Sequence, residues 1–171
     1  MHEVFRALNA LVEQGVIQTY GIGGAVAASF YTEALQTEDI DAFVYLPETQ
    51  SGLLDLSGIY TALMALGGKL QREYIQFGPW PLQILPDATP LVSEAIRDAE
   101  ALDYDGIAVR VFRPEHLCSI ALQTGRAKDL LRVRMFLDAE KVDLMALQQM
   151  VARFGLGDRL RKVEGLIDGA S

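Results

Sequence analysis

The sequence predicts a mixed α/β (α+β) fold: one mixed β-sheet flanked by helices, with a C-terminal helical extension. Three observations carry this. Between residues 3 and 112, short apolar β-prone runs alternate with segments of helical periodicity, as in a sheet with helices packed on it. From Pro114 onward the helical period dominates. The 171 residues, half of them hydrophobic and 22% charged, suffice for one well-buried core. The expected organisation is an α/β core over residues 1–113 with residues 114–171 packed on it, a single domain overall.

Taken in order, residues 3–14 space Val4, Phe5, Leu8 and Leu11 along one helix face, and Gly15 ends that helix. Residues 16–21 read as a short strand. Gly23-Gly24 then turns the chain into an Ala-rich helix expected over 25–35. Residues 40–46 are apolar and β-prone, a second strand closed by Pro47, and 47–53 read as a loop. A helix is expected over 54–66, stopped by Gly67-Gly68. Two strands follow, 69–77 and 80–85, joined at Gly78-Pro79. Pro90 opens a helix over 90–102, since its missing N–H is not needed in a first turn. Residues 106–112 are a strand. In the helical region, breaks are expected at Gly125, near Asp138 and at Gly155-Leu156-Gly157.

Composition removes several function classes. No apolar run reaches the roughly 18 residues that span a bilayer. The N-terminus lacks the basic start and apolar stretch of a signal peptide. A single cysteine, Cys118, allows neither an internal disulfide nor a cysteine zinc site, and reads as a buried small residue. A cytoplasmic protein is expected. The net charge of −8 is uneven: residues 1–109 carry 4 Lys/Arg against 15 Asp/Glu, residues 110–171 carry 11 against 8. That suits metal-binding carboxylates placed opposite phosphate-binding cations, and equally a solvated surface with unevenly spread charge. General DNA binding is disfavoured, because it needs a basic footprint.

The chemistry-bearing stretch is Gly21-Ile22-Gly23-Gly24-Ala25 followed by Thr37-Glu38-Asp39-Ile40-Asp41. Strand periodicity puts Asp39 and Asp41 on one face, with Ile40 turned the other way. Two carboxylates held side by side repel each other, so such a pair suits a cation, and all-oxygen ligation suits Mg²⁺ with substrate phosphates completing the shell. Gly23-Gly24 at a strand-to-helix turn lets backbone approach a phosphate. Each part alone is more often a plain turn or a solvated strand edge; the combination, in this order, points to phosphoryl or nucleotidyl transfer.

Gly23-Gly24, a helix, then Thr37-x-Asp39-x-Asp41 resembles the signature of the DNA polymerase β-like nucleotidyltransferase superfamily. The nearest flavour is the small bacterial group around AbiEii-type toxins and minimal nucleotidyltransferases. Pro114-Glu115-His116-Leu117 and Gly125-Arg126-Ala127-Lys128-Asp129 resemble that group's Pro-Glu-x-Leu helix start and Arg-x-Lys-Asp segment; together the likeness spans roughly residues 15–155. It implies a nucleotidyltransferase-like sheet, Mg²⁺, and transfer of a nucleoside monophosphate from an NTP. Asp39 and Asp41 would be the catalytic metal ligands, and Gly23, Gly24, Thr37, Arg126 and Lys128 would hold the nucleotide. A toxin–antitoxin context would add a partner protein. The family's third carboxylate belongs on strand 80–85, where the matching position holds Gln83, with Asp87 just beyond as a stand-in. A lysine usual after Pro-Glu-x-Leu is replaced by Ala121. The expected function is therefore Mg-dependent nucleotidyl transfer to an acceptor the sequence does not identify: tRNA, a protein or a small molecule. The alternative is a catalytically degenerate relative that binds a nucleotide or a partner.

Other residues read more plainly. Arg126, Lys128, Arg132 and Arg134 cluster on one helix, with Arg132 one turn beyond Lys128, which suits phosphate contacts or a solvated basic face. His2 and His116 are too few for a histidine metal site, and His116 is expected on a helix surface. Trp80, between two prolines, reads as packing. Gly21-Ile22-Gly23 lacks the third glycine and the later acidic residue of a dinucleotide-binding fingerprint.

Overall fold

The computed structural model describes residues 1–33, 37, 39–45 and 56–168. The loop expected at 47–53, Leu46, Leu54 and the far end of the helix expected over 25–35 lie outside them. Among the described residues, seven strands form one mixed sheet flanked by eight helices.

The first helix, α1 (His2–Glu13), buries Val4, Phe5, Leu8 and Leu11. It is fastened to the sheet by Asn9, which donates to the Ala108 carbonyl (2.9 Å) and accepts from the Tyr20 hydroxyl (2.7 Å). The chain then runs β1 (Tyr20–Ile22), the short helix α2 (Gly24–Ala28), β2 (Ile40–Val44) and α3 (Ser57–Ala65). Next come β3 (Lys69–Gln71), β4 (Tyr74–Phe77), β5 (Trp80–Pro86) and α4 (Pro90–Arg97). Thr89 caps α4, its hydroxyl accepting from the Val92 amide at 3.2 Å. The core ends with β6 (Glu100–Tyr104) and β7 (Ile107–Val111), and the helical region is α5 (Pro114–Thr124), α6 (Ala127–Asp138), α7 (Leu144–Arg153) and α8 (Gly157–Asp168).

Three expectations are corrected. The strand expected over 69–77 is a hairpin, β3–β4, turning at Arg72-Glu73; Arg72 takes φ +56° there without a glycine to announce it. The helix expected to reach residue 102 stops at Arg97, and residues 100–104 are β6. Glu100-Ala101-Leu102 suits a helix locally, but pairing with β7 wins through Asp105-Gly106, both at positive φ as a tight hairpin requires. The helix expected from residue 25 is only five residues long and ends at Ala28.

Strand order is β3-β4-β5-β2-β1-β7-β6. The central strand β2 pairs antiparallel with β1 and parallel with β5, which sets Asp41 opposite Gln83. Along β2, burial alternates: Ile40, Ala42 and Val44 face the core with Leu82, Ile84 and Ile75, while Asp41 and Phe43 face the other way. The helical region packs onto this core through α5, which contacts α2 and α4, and α6 packs on α5. Gly125, at φ +70°, closes α5 and lets α6 begin two residues later. Arg159 of α8 donates to the last α5 carbonyls, Leu122 (2.6 Å) and Gln123 (2.5 Å), which fixes that corner.

Candidate active site

The start of β2 and the N-terminal half of α6 face each other across a cleft of about 650 Å³. Gly24, Ala25, Thr37, Asp39 and Asp41 form one wall; Arg126, Lys128, Asp129, Leu131, Arg132 and Met135 form the other. Its volume lies within the range of small-molecule sites, roughly 300–1,000 Å³.

On the first wall the glycines act by close approach. The Gly23 amide donates to the Asp41 carbonyl at 3.0 Å. A Cβ on Gly23 would come within 2.6 Å of the Phe43 ring. Gly24 sits at φ +61°, and a Cβ there would run into the Asp41 carboxylate. Only glycine combines that backbone with that carboxylate position. The Thr37 hydroxyl donates to the Asp39 carbonyl at 2.8 Å, so it orients the entry to β2. Because α2 is so short, its dipole is small, and the turn's contribution is steric access more than a helix field.

Burial and the neighbouring charge of Asp39 push the Asp41 carboxyl above its ordinary value; Arg132, Arg126 and Lys128 pull it back in part. A cation would relieve that repulsion directly. The pair therefore fits Mg²⁺, which takes one or two protein carboxylates and leaves the remaining positions to phosphates and water. Among the described residues no third acidic, histidine or cysteine side chain comes close enough to share that cation.

On the second wall the organiser is Asp129, 2% exposed. Its carboxylate accepts from Thr124 (2.8 Å), from Arg126 Nε (2.5 Å) and from Arg132 Nη1 (3.4 Å). Burial alone would raise this carboxyl, but the donors from Arg126 and Thr124 outweigh it and hold Asp129 below its ordinary value. Arg126 is thus committed to Asp129, although its side chain remains 63% exposed. Lys128 has no such partner among the described residues. Arg132 is mostly buried, with an Nε that has no hydrogen-bond partner among the described residues.

The cleft brings together Gly24, Thr37, Asp39, Asp41, Arg126 and Lys128 from the sequence expectations, with Gly23 bonded just behind. Gln83 stands beside Asp41 on β5, on the same sheet face. Asp87 does not stand in for a third ligand: it lies beyond the far end of β5 and accepts from Ser93 Oγ at 3.2 Å. Ala121 is buried and does not line the cleft. His116 is not on the surface; it is 2% exposed and meets Glu94 at 3.3 Å. Burial lowers its pKa, with Glu94 opposing. Glu94, Asp98 and His116 lie close enough to suggest a metal, but both Glu94 oxygens are held by Arg153 at 2.7 and 2.8 Å. Cys118 is fully buried, which raises its thiol pKa. Sequence reasoning placed Arg132 on the face of Lys128 without assigning it to the site, and passed over Leu131 and Met135; the signal present was the one-turn spacing from Lys128 to Arg132 and on toward Met135.

No family model matches the chain, and comparison with curated proteins finds no match. Solved structures do resemble it. ANT(2'')-Ia, described as an antibiotic-resistance factor with substrate-regulated conformation dynamics, superposes over 98% of this chain and 97% of its own, with TM-score 0.52 and 15% identity. ANT(2'')-Ia in complex with adenylyl-2''-tobramycin gives TM-score 0.54 and 20% identity over 88% and 97%. An antigenic nucleotidyltransferase-like protein from Paracoccidioides brasiliensis gives 0.55 and 16% over 94% and 93%. At these identities the likeness concerns the fold, which is nucleotidyltransferase-like.

Proposed function

We propose that this protein is a nucleotidyltransferase that uses Mg²⁺ to move a nucleoside monophosphate from an NTP to an acceptor. The observation that carries the reading is the pairing of Asp39 and Asp41 on one wall of a cleft with Arg126, Lys128 and Arg132 on the other. Asp39 and Asp41 would hold the metal, which supplies charge neutralisation and polarises the transferring phosphoryl group. Lys128 and the two arginines would take the triphosphate, as charge-assisted donors do. Gly24 keeps the backbone clear so that Asp41 can face the cleft, and Thr37 fixes the carbonyl of Asp39. Ala25, Leu131 and Met135 offer an apolar surface for the base. Residues 114–171 serve in this reading as a helical extension that closes the site over the α/β core.

The adenylyl-tobramycin complex of a fold neighbour is an instance of a nucleoside monophosphate joined to a small molecule, which supports the same reaction class here. The AbiEii-type grouping rests on the Gly23-Gly24 and Thr37-x-Asp39-x-Asp41 signature together with the Pro114–Leu117 and Gly125–Asp129 segments; a cytoplasmic toxin with a partner protein is the corresponding setting. The test is equilibrium binding of each NTP with and without Mg²⁺, followed by pyrophosphate release in the presence of cell extract. Metal-dependent NTP binding that Asp39→Asn abolishes is the expected result. Absence of NTP binding would leave a fold without this chemistry.

A further inference from the structure

Three cations share one wall of the cleft, but they do not stand alike. Arg126 precedes the first turn of α6 with its side chain 63% exposed, and its Nε is taken by Asp129 at 2.5 Å. Lys128, in that first turn, is exposed. Arg132 follows four residues later, about 6 Å further along the helix axis and on the same face as Lys128. Its side chain is only 18% exposed, yet it lines the cleft. Among the described residues its one hydrogen-bond partner is Asp129, and that contact is long, 3.4 Å from Nη1. A guanidinium drawn out of water with a single weak acceptor has donors to spare. An anion that meets it there gains more than at a solvated arginine. Burial and Asp39 raise the Asp41 carboxyl, and of the cations that pull it back Arg132 counts most, ahead of Arg126 and Lys128. Across the cleft, then, Arg132 is the counterpart of the acidic pair, while Arg126 and Lys128 stand toward the N-terminus of α6.

We propose that Arg132 grips the α-phosphoryl group under transfer, while Lys128 and Arg126 hold the β- and γ-phosphates. The inference rests on the nucleotidyltransferase reading above, in which Asp39 and Asp41 mark the place of the phosphorus under attack. In that step the acceptor oxygen forms a bond to the α-phosphorus and gives its proton to solvent. The bond from that phosphorus to the oxygen bridging to the β-phosphate breaks, and its electron pair leaves on pyrophosphate. The phosphoryl oxygens that stay behind lie beside the acidic pair, and a fixed cation opposite offsets the repulsion between them. A planar guanidinium offers paired donors to two such oxygens. One that is already desolvated, and held by Asp129, needs little reorganisation as charge shifts in the transition state. Lys128 is the opposite kind of group, an exposed point charge on a flexible stem, which suits the pyrophosphate that must be released.

Partial ligands separate the two positions, because a nucleoside monophosphate carries only the α-phosphate and pyrophosphate only the leaving part. The affinities of AMP, GMP, CMP, UMP, pyrophosphate and each NTP are measured with Mg²⁺ by calorimetry, the weaker ligands by displacement of the NTP. The proteins are the full chain and its Arg132→Gln, Arg132→Lys and Lys128→Ala variants, with thermal melts to check folding. Arg132→Gln should weaken monophosphate binding about tenfold or more and leave pyrophosphate within about twofold; Lys128→Ala should do the reverse. Arg132→Lys keeps the charge above Asp129 but loses the fork, so it should fold and still weaken the monophosphate. If Arg132→Gln does not fold, this variant carries the comparison. Equal losses on monophosphate and pyrophosphate, or a loss confined to pyrophosphate, overturn the assignment of Arg132 and leave the reading of the site intact. So does a wild type that binds NTP but no monophosphate. Failure to bind any NTP overturns both.

Discussion

Gly24 is where the backbone and the proposed metal site meet, and changing it separates steric from chemical effects. Gly24→Ala places a Cβ at φ +61°, in the left-handed region, and drives it into the Asp41 carboxylate. The backbone term alone costs about 1–2 kcal/mol. For a chain of this length that lowers Tm by about 2–8 °C. The second effect falls on function: the carboxylate lies at the end of a short side chain and escapes by rotating, which aims it away from the cleft. Disturbing the orientation of a metal ligand typically lowers metal affinity or activity about 10–100-fold. Gly24→Asn separates the two, because Asn tolerates positive φ better than Ala yet still carries a Cβ. Thermal melts in EDTA and Mg²⁺ titration of NTP binding, on wild type and both variants, are the assays. Asn should recover stability over Ala and recover none of the metal affinity. If Gly24→Ala binds Mg²⁺ and NTP as wild type does, Asp41 is not held against this glycine for a cation.

Lys128→Ala should weaken NTP binding about tenfold or more, since a charge-assisted contact is worth about 1.5–3 kcal/mol. Arg126→Ala should cost less, because Arg126 is already engaged by Asp129; calorimetry on the two variants gives the order, and equal effects would count against it. Asp129→Asn should destabilise the protein by about 1.5–3 kcal/mol at pH 7, read by urea denaturation. The pKa of Asp129 is depressed in the fold, so its contribution is present above the unfolded value near 3.9 and is lost as pH falls through the lower folded value. The difference between wild type and Asp129→Asn should therefore vanish in acid. Asp41 has the opposite sign: its pKa is raised, so its ionisation favours the unfolded chain, and that penalty is absent below about 3.9 and complete once pH exceeds the folded value. At pH 7 in EDTA, Asp41→Asn should accordingly raise Tm by a few degrees, about 2–4 °C per kcal/mol relieved, and should abolish the stabilisation by Mg²⁺.

The parts of the fold legible in the sequence are those whose signals are local. Alternation along residues 40–44 gave the central strand and the common face of Asp39 and Asp41, and the glycine breaks marked the ends of α5 and α7. What failed was structure that local signals contradict. Arg72-Glu73 turns a hairpin with no turn residue, and Glu100-Ala101-Leu102 becomes a strand because β7 offers it a partner five residues on. The site divides the same way. The acidic pair and Lys128 are visible as motif residues, whereas the burial of Asp129 beneath two arginines depends on how α6 packs on α5. His116 looked like a surface residue because its charge partner, Glu94, comes from α4, 22 positions away, where it is also held by Arg153 of α7.

The arrangement of charge also bears on the order in which ligands enter. Three cations face two carboxylates across one cleft, and direct pairing between the walls would neutralise the site. Asp129 prevents this by holding Arg126 at 2.5 Å and Arg132 at 3.4 Å from beneath. Lys128 is thereby left without a partner among the described residues, and Asp41 remains raised by burial and by Asp39. Free Mg²⁺ would satisfy the carboxylates but meet the cations of α6; a free NTP would satisfy the cations but meet Asp39 and Asp41. Either ligand alone leaves one wall opposed to it, and together they match both. Binding of NTP and Mg²⁺ should therefore be positively coupled, and reciprocal by linkage. A coupling of roughly tenfold or more is the expected size, within the usual range of about 5–150-fold. The measurement is NTP affinity at zero and saturating Mg²⁺, compared with the Mg²⁺ affinity of NTP free in solution so that chelation by the nucleotide is subtracted. Asp129→Asn should reduce the coupling, since the released arginines can then turn toward Asp41. If coupling beyond chelation is absent in the wild type, the two walls do not act on one ligand, and the cleft is a charged surface rather than a site for metal and triphosphate together.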